Sequence, residues 1–230
     1  MSRKITDQIL LETIPKHMQY KGATGDSQHG FTKGKSCLTN VVAFYDGVTA
    51  LVGRGKATDV IYLDLSKASD TVLNDVLVPK LKRHGFDRWT SQWIRNWLDG
   101  RTQIVAVNGL MSRWRTVTSG VPQGLVLGLA LFTIFGHRHG QCDCTLSKFA
   151  DDTKLCGVAV MLEGRDAIQR DLDRLERWVC VNFMKFSRAK CKVLHMGLGN
   201  SKHKYRLAKN GLRAGLRRRT WGCWLMRSST

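Results

Sequence analysis

The sequence is short of acid. Its 230 residues hold 18 Asp and Glu against 37 Lys and Arg, a formal net charge of +19. An imbalance of that size argues against a cationic partner and points to a polyanionic one. Long hydrophobic runs are also missing. The most apolar stretch, residues 125–135, is far shorter than the roughly 20 residues needed to cross a bilayer and contains Gly128, so no spanning helix is expected. No N-terminal apolar segment resembles a secretion signal. The seven cysteines, Cys37, Cys142, Cys144, Cys156, Cys180, Cys191 and Cys223, are odd in number and scattered, which fits no disulfide framework. A reducing intracellular setting, nuclear and cytoplasmic, is the expectation. At 43% hydrophobic content the chain can bury a sizeable core, so disorder throughout is excluded. Residues 197–230 carry nine Lys and Arg and no acid, yet the rest of the chain stays basic without them.

Hydrophobic periodicity divides the chain. Residues 1–20 read as a short helix with Ile5, Ile9 and Leu10 on one face. A second helix is expected over 38–52 from Val41, Val42, Tyr45, Val48 and Val52, ended by Gly53 and Gly55. Residues 58–65 are a largely apolar run short enough for a buried strand. Helical patterns follow at 71–84 and 88–99, the latter with Trp89, Trp93 and Trp97 four apart, a stripe read as core packing. Residues 103–107 and 114–118 around Asn108-Gly109 read as a β-hairpin whose loop exceeds two residues. A second hairpin spans 145–157 with Ala150, Asp151 and Asp152 at its tip. A helix beginning near Glu163 shows Ile168, Leu172, Leu175 and Val179 on one face, with Arg170, Arg174 and Glu176 on its wetter sides. Strands and helices mix without a regular βαβ rhythm, which favours an α+β fold with sheet on one side and helices on the other.

Three acids stand in or just after strand-like apolar runs that would otherwise exclude charge: Asp64 in IYLDL, and Asp151 and Asp152 in KFADDTK. Mg²⁺ takes oxygen ligands, commonly one or two carboxylates plus substrate phosphates, so acids at the ends of neighbouring strands form a suitable set. Two such ions can stabilise the attacking and leaving oxygens of phosphoryl transfer. Adjacent residues on a strand face opposite ways, so only one of Asp151 and Asp152 need be a direct ligand. The competing reading is a turn that merely favours aspartate.

The segments IYLDLSKASDTV, TSGVPQG and LSKFADDTKL, in that order and spacing, resemble the successive signature motifs of reverse transcriptases. QHGFTKGKSCLTN, NWLDGRTQIVAVNG and MKFSRAKCKVLHMG extend the resemblance, which is to non-LTR retrotransposons of the jockey and chicken-repeat type and covers residues 4–197. It implies RNA-directed DNA synthesis on a palm with partial fingers, an antiparallel sheet packed against helices. Residues 1–27 would form an N-terminal helix and partial fingers, 28–197 the fingers and palm, and 198–230 a basic, divergent tail without most of the thumb, giving low processivity. By the same resemblance Asp64 and Asp151 bind two Mg²⁺ ions and Asp152 completes the triad. Lys190 stands where a lysine protonates the leaving pyrophosphate. Leu65, Ser69, Gln123 and Gly124 form the nucleotide pocket, residues 194–197 grip the primer end, and Lys33, Lys35 and Arg54 line the template path. RNA template, DNA primer and dNTPs are the implied partners. The alternative is a catalytically inactive remnant that binds nucleic acid through charge alone.

Some positions depart from the family pattern. Ser69 stands where a large aromatic normally blocks the ribose 2′-hydroxyl, so weakened exclusion of ribonucleotides is expected. Leu125, Leu129 and residues 136–140 also differ, as in a decayed copy. Two other signals carry little. GFTKGKS at residues 30–36 has one residue too few between its glycines for a phosphate-binding loop. His137, His139, Cys142 and Cys144 are too compact for a common zinc module.

Overall fold

The computed structural model describes residues 13–14, 17, 27–29, 35–123, 126–136, 142–208 and 210–215. Most of the expected N-terminal helix, Lys33, Gly124, His137, His139 and residues 216–230 lie outside the described residues.

A five-stranded sheet organises the fold. Its centre is β1 (Thr58–Leu63), buried at every position. It pairs antiparallel with β7 (Asp152–Val158) on one side and β8 (Lys192–Met196) on the other. The hairpin partner β6 (Thr145–Phe149) closes one edge, and β11 (Arg213–Ala214) runs parallel to β8 at the other. A strand with neighbours on both edges and cover on both faces has no place for alternating polar residues, which is why VIYL reads as a continuous apolar run.

Helices cover both faces, so the expected arrangement of one sheet layer and one helix layer gives way to a sandwiched sheet within the same α+β class. On one face α1 (Cys37–Gly53) sets Phe44 and Val48 against Val60, Tyr62 and Cys156. On the other, α5 (Leu162–Val181) sets Ile168, Leu172 and Leu175 against Ile61, Leu63, Leu155 and Val193. A third apolar cluster joins α2 (Asn74–Arg83), α3 (Arg88–Leu98) and α4 (Val126–Gly136) through Leu77, Leu81, Ile94, Leu98, Leu131 and Phe135. Among the described residues no helix is long and apolar enough to cross a membrane.

Several local expectations need correction. The buried face of α1 is Asn40, Phe44 and Val48, and Val42 is exposed. Asn40 is tolerated there because its Nδ2 donates to Ser147 Oγ at 2.6 Å. The tryptophan stripe of α3 flanks the core instead of filling it: Ser91, Ile94 and Leu98 point inward, Trp93 and Trp97 stack at 6.3 Å on the margin, and Trp89 is exposed. The first hairpin turns in two residues, Asn108 and Gly109, both at positive φ, so its return strand begins at Leu110 and not near Trp114.

Residues beyond the expected boundary at 197 are built into the sheet domain. Tyr205 is fully buried beneath α5, and β9 (Arg206–Leu207) pairs with β10 (Asn210–Gly211) before β11 joins the sheet. The anchor is polar. Asp59, on β1 and wholly buried, receives Tyr205 Oη at 2.7 Å and Asn200 Nδ2 at 2.8 Å, and lies 2.7 Å from His195 Nδ1. A buried carboxylate is tolerated only when so surrounded. Replacing Tyr205 by Phe removes a hydrogen bond to a buried charged group and is expected to lower unfolding free energy by about 1–3 kcal/mol in urea titrations; an unchanged midpoint would show that Asp59 does not rely on it.

Candidate active site

The sheet register brings the three acids to one end. The β1–β7 pairing finishes at Leu63 opposite Thr153, so Asp64 and Asp152 are the next residues on adjoining strands. Ala150 and Asp151 form the tip of the β6–β7 hairpin, with Ala150 at φ 55° and Asp152 paired to Phe149. The turn therefore comprises Ala150 and Asp151, and Asp152 is already the first residue of β7.

Asp64 is buried, and the loop between α5 and β8 locks its backbone. Ser187 N donates to its carbonyl at 2.8 Å, while the backbone of Leu65 bridges to Phe186. One carboxylate oxygen, Oδ2, lies 3.2 Å from Lys190 Nζ. The other, Oδ1, is buried without a hydrogen-bond partner. An unpartnered buried carboxylate oxygen is costly, and a cation at that point would satisfy it. Burial, then Asp151, then Asp64 push the Asp152 carboxyl up to about 6, against the pull of Lys154 and Lys190. Burial chiefly, with Asp64 adding, also raises Asp151. Among the described residues no three His, Cys, Asp or Glu side chains are grouped as a ready-made metal cage. This donor set fits an ion that brings further oxygens with its substrate, as Mg²⁺ does, better than a closed structural site.

Two of the four residues expected at a nucleotide pocket, Ser69 and Gln123, lie on segments that cross beside this end. A 3₁₀ turn over Ala68–Asp70 follows β1, with Lys67 in the left-handed region. Residues 119–123 cross it closely: Gly120 N donates to Val72 O at 2.7 Å and Val121 N to Ser69 O at 2.8 Å. The crossing demands glycine, because a Cβ at Gly120 would stand 2.8 Å from Asp70 Cα and its φ is +90°. Gln123 is thereby placed with its Nε2 3.3 Å from Asp70 Oδ1. Ser69 and Gln123 are together, whereas Leu65 turns a half-buried side chain against the helical core. A cavity of about 310 Å³ opens between α1 and the hairpin, with Asn40, Tyr62, Phe149, Asp152 and Lys154 among its lining.

Residues 1–214 match the family described as reverse transcriptase (RNA-dependent DNA polymerase). The chain belongs to that family. It is similar to a protein named probable RNA-directed DNA polymerase from transposon X-element of Drosophila melanogaster, 26% identical over 187 residues, covering 76% of this chain and 20% of that protein. It is also similar to the RNA-directed DNA polymerase from mobile element jockey of the same species, 30% identical over 127 residues, 51% of this chain and 14% of the other. The chain thus spans about a fifth or less of these relatives' length. In fold it resembles telomerase from Candida tropicalis in a complex with the TWJ fragment of telomeric RNA, with a TM-score of 0.60, 11% identity and coverage of 86% of this chain and 34% of that one.

In this member of the family, Asp70 and Asp59 are polar groups that the sequence pattern did not single out. Asp70 had a visible signal, since it follows Ser69 in the motif. Asp59 was masked by its threonine neighbour at the start of the apolar run. Cys144, one of the compact zinc-type residues, has its thiol pushed up to about 12 by burial and then by Asp171.

The raised Asp152 carboxyl sets a pH dependence. Its folded value, about 6, lies above the ordinary 3.8, so the folded state binds the proton more tightly and stability falls as pH rises through that window. In metal-free buffer Asp152→Asn is expected to melt above the parent at neutral pH, with the difference vanishing below about pH 4. A gap independent of pH would refute the raised carboxyl.

Proposed function

We propose that this chain carries the nucleotidyl-transfer centre of an RNA-directed DNA polymerase from a non-LTR mobile element, joining a dNTP to a primer 3′-hydroxyl on an RNA template. The observation that carries the proposal is the unpartnered, buried Oδ1 of Asp64 at the same sheet end as two acids whose charges repel. Asp64 and Asp151 would hold two Mg²⁺ ions, with Asp152 adding negative charge beside them. When bound, such ions stabilise the attacking and leaving oxygens of the displacement.

The remaining roles fall to the chain's own residues. Lys190 neutralises Asp64 from the solvent side and would move to the leaving pyrophosphate when a cation takes over that carboxylate. Gln123, held by Asp70, would orient the incoming nucleotide, and Ser69 would stand beside its sugar. Lys35 and Arg54, at the two ends of α1, would support the template by contact with its phosphates. The nucleus and cytoplasm, where templates and targets occur, are the proposed setting.

The deciding experiment is Mg²⁺-dependent dNTP incorporation on a primed RNA template by the full chain and its Asp151→Asn, Asp152→Asn double variant. Incorporation falling to background in the variant is expected. No incorporation by either, with binding retained, would favour the inactive nucleic-acid-binding remnant.

The serine at position 69 adds a second outcome. Ser69→Phe is expected to raise selectivity for dNTPs over rNTPs by roughly tenfold or more, since it restores bulk where the 2′-hydroxyl would sit. Strong exclusion of rNTPs by the parent chain would contradict this.

A further inference from the structure

The hairpin over residues 102–116 presents a surface that the nucleotidyl-transfer site does not use. Its outer strands, β3 (Ala106–Val107) and β4 (Leu110–Met111), and its inner strands, β2 (Thr102–Gln103) and β5 (Arg115–Thr116), form separate two-stranded ladders. The register explains the break. Gln103 faces Arg115 and Ala106 faces Met111, while Val105 and Ser112 exchange hydrogen bonds, Ser112 N reaching Val105 O at 2.8 Å and Val105 N reaching Ser112 Oγ at 3.0 Å. Ile104 is therefore opposed by both Arg113 and Trp114. That is a β-bulge, a device that re-aims side chains out of a regular ladder.

Trp114 at the bulge is 67% exposed, and Arg113 and Arg115 on either side of it are exposed too. Between Asp99 and Asp143 the sequence holds no acidic residue, so the hairpin's own charge is purely positive. The hairpin is also tied to the candidate site. Val117 N donates to Arg101 O at 2.7 Å, and Arg101 Nη2 donates to Gly120 O at 2.6 Å, in the segment that positions Gln123.

We propose that this hairpin is a docking platform for a single strand of nucleic acid at the margin of the active site, with a base stacked on Trp114 and phosphates held by Arg113 and Arg115. The inference rests on the polymerase reading for the identity of the strand. An aromatic side chain between two cations, in a hairpin whose own sequence holds no acid, matches the stacking-plus-charge chemistry of single-strand recognition. A partner protein on the apolar hairpin tip would need neither arginine.

The test is fluorescence anisotropy of labelled single-stranded RNA and DNA, about 15 nucleotides long, with the full chain. Trp114→Ala is expected to weaken binding roughly five- to a hundredfold, and Trp114→Phe to retain most of it. Arg113→Ala with Arg115→Ala should reduce the slope of log K against log salt by about 1.4, near 0.7 per lost phosphate contact. Loss on either strand supports the proposal and identifies the occupant. Because Trp114 is exposed, melting temperatures should not move. Unchanged binding in both variants would overturn it, as would full retention by Trp114→Leu, which would mark a plain apolar contact. A shift in oligomeric state with nucleic-acid binding intact would likewise overturn it in favour of a protein partner. The Asp151→Asn, Asp152→Asn variant separates the two ideas: it should lose incorporation while keeping Trp114-dependent binding. Incorporation without any Trp114 dependence would sink the platform and leave the polymerase reading intact.

Discussion

Everything in this structure hangs on a buried central strand with a carboxylate near each end. Between Asp59 and Asp64, β1 is apolar and covered on both faces, so each acid must find its compensation locally. Asp59 does so completely, with His195, Asn200 and Tyr205 around its two oxygens. Asp64 does so by half, with Lys190 on one oxygen and nothing on the other. One end of the strand is thus a finished structural knot and the other a buried carboxylate that the protein satisfies only in part. The same covalent group serves stability or chemistry according to how many of its acceptor positions the protein itself fills.

That difference explains the uneven packing of the two ends. At the Asp59 end, chain from beyond β8 returns to cover the sheet, and Tyr205 is drawn under α5 by its bond to the acid. At the Asp64 end the elements are held by backbone contacts, Ser187 on Asp64 and Val121 on Ser69, which fix position while leaving side chains available. The repelling pair at the hairpin tip is destabilising in isolation, and it persists because β6 and β7 are held by the sheet and by α1 above them.

Features fixed by local pattern were the legible ones. The uninterrupted VIYL run announced a buried strand, though not its cover on both faces, the KFADDTK sequence announced a hairpin with acids at its tip, and the helix of residues 162–181 showed its buried face in Ile168, Leu172, Leu175 and Val179. Features fixed by distant partners were not. Asp59 depends on groups 136 to 146 residues away. In α1, valine periodicity competed with a face chosen by what the sheet offers, so Phe44 and the hydrogen-bonded Asn40 won over Val42. In α3 a stripe of three tryptophans looked more hydrophobic than the Ser91, Ile94 and Leu98 face, but the tight helical cluster accepts the smaller side chains. In the first hairpin the two-residue turn at Asn108 and Gly109 started the return strand several residues earlier than β-propensity alone indicated.

The close backbone crossings give this chain an internal record of its own history. A Cβ at Gly120 would meet Asp70, one at Gly128 would lie 1.9 Å from Pro122 O, and one at Gly164 would lie 2.1 Å from Val158 O. Every single-nucleotide replacement of a glycine codon that encodes another residue adds at least that atom, so a copy drifting without constraint loses these crossings early and irreparably. All three glycines stand in this sequence. Gly120 and Gly128 guard the crossing that carries Gln123, whereas Gly164 seats α5 against the end of β7 at the far side of the sheet.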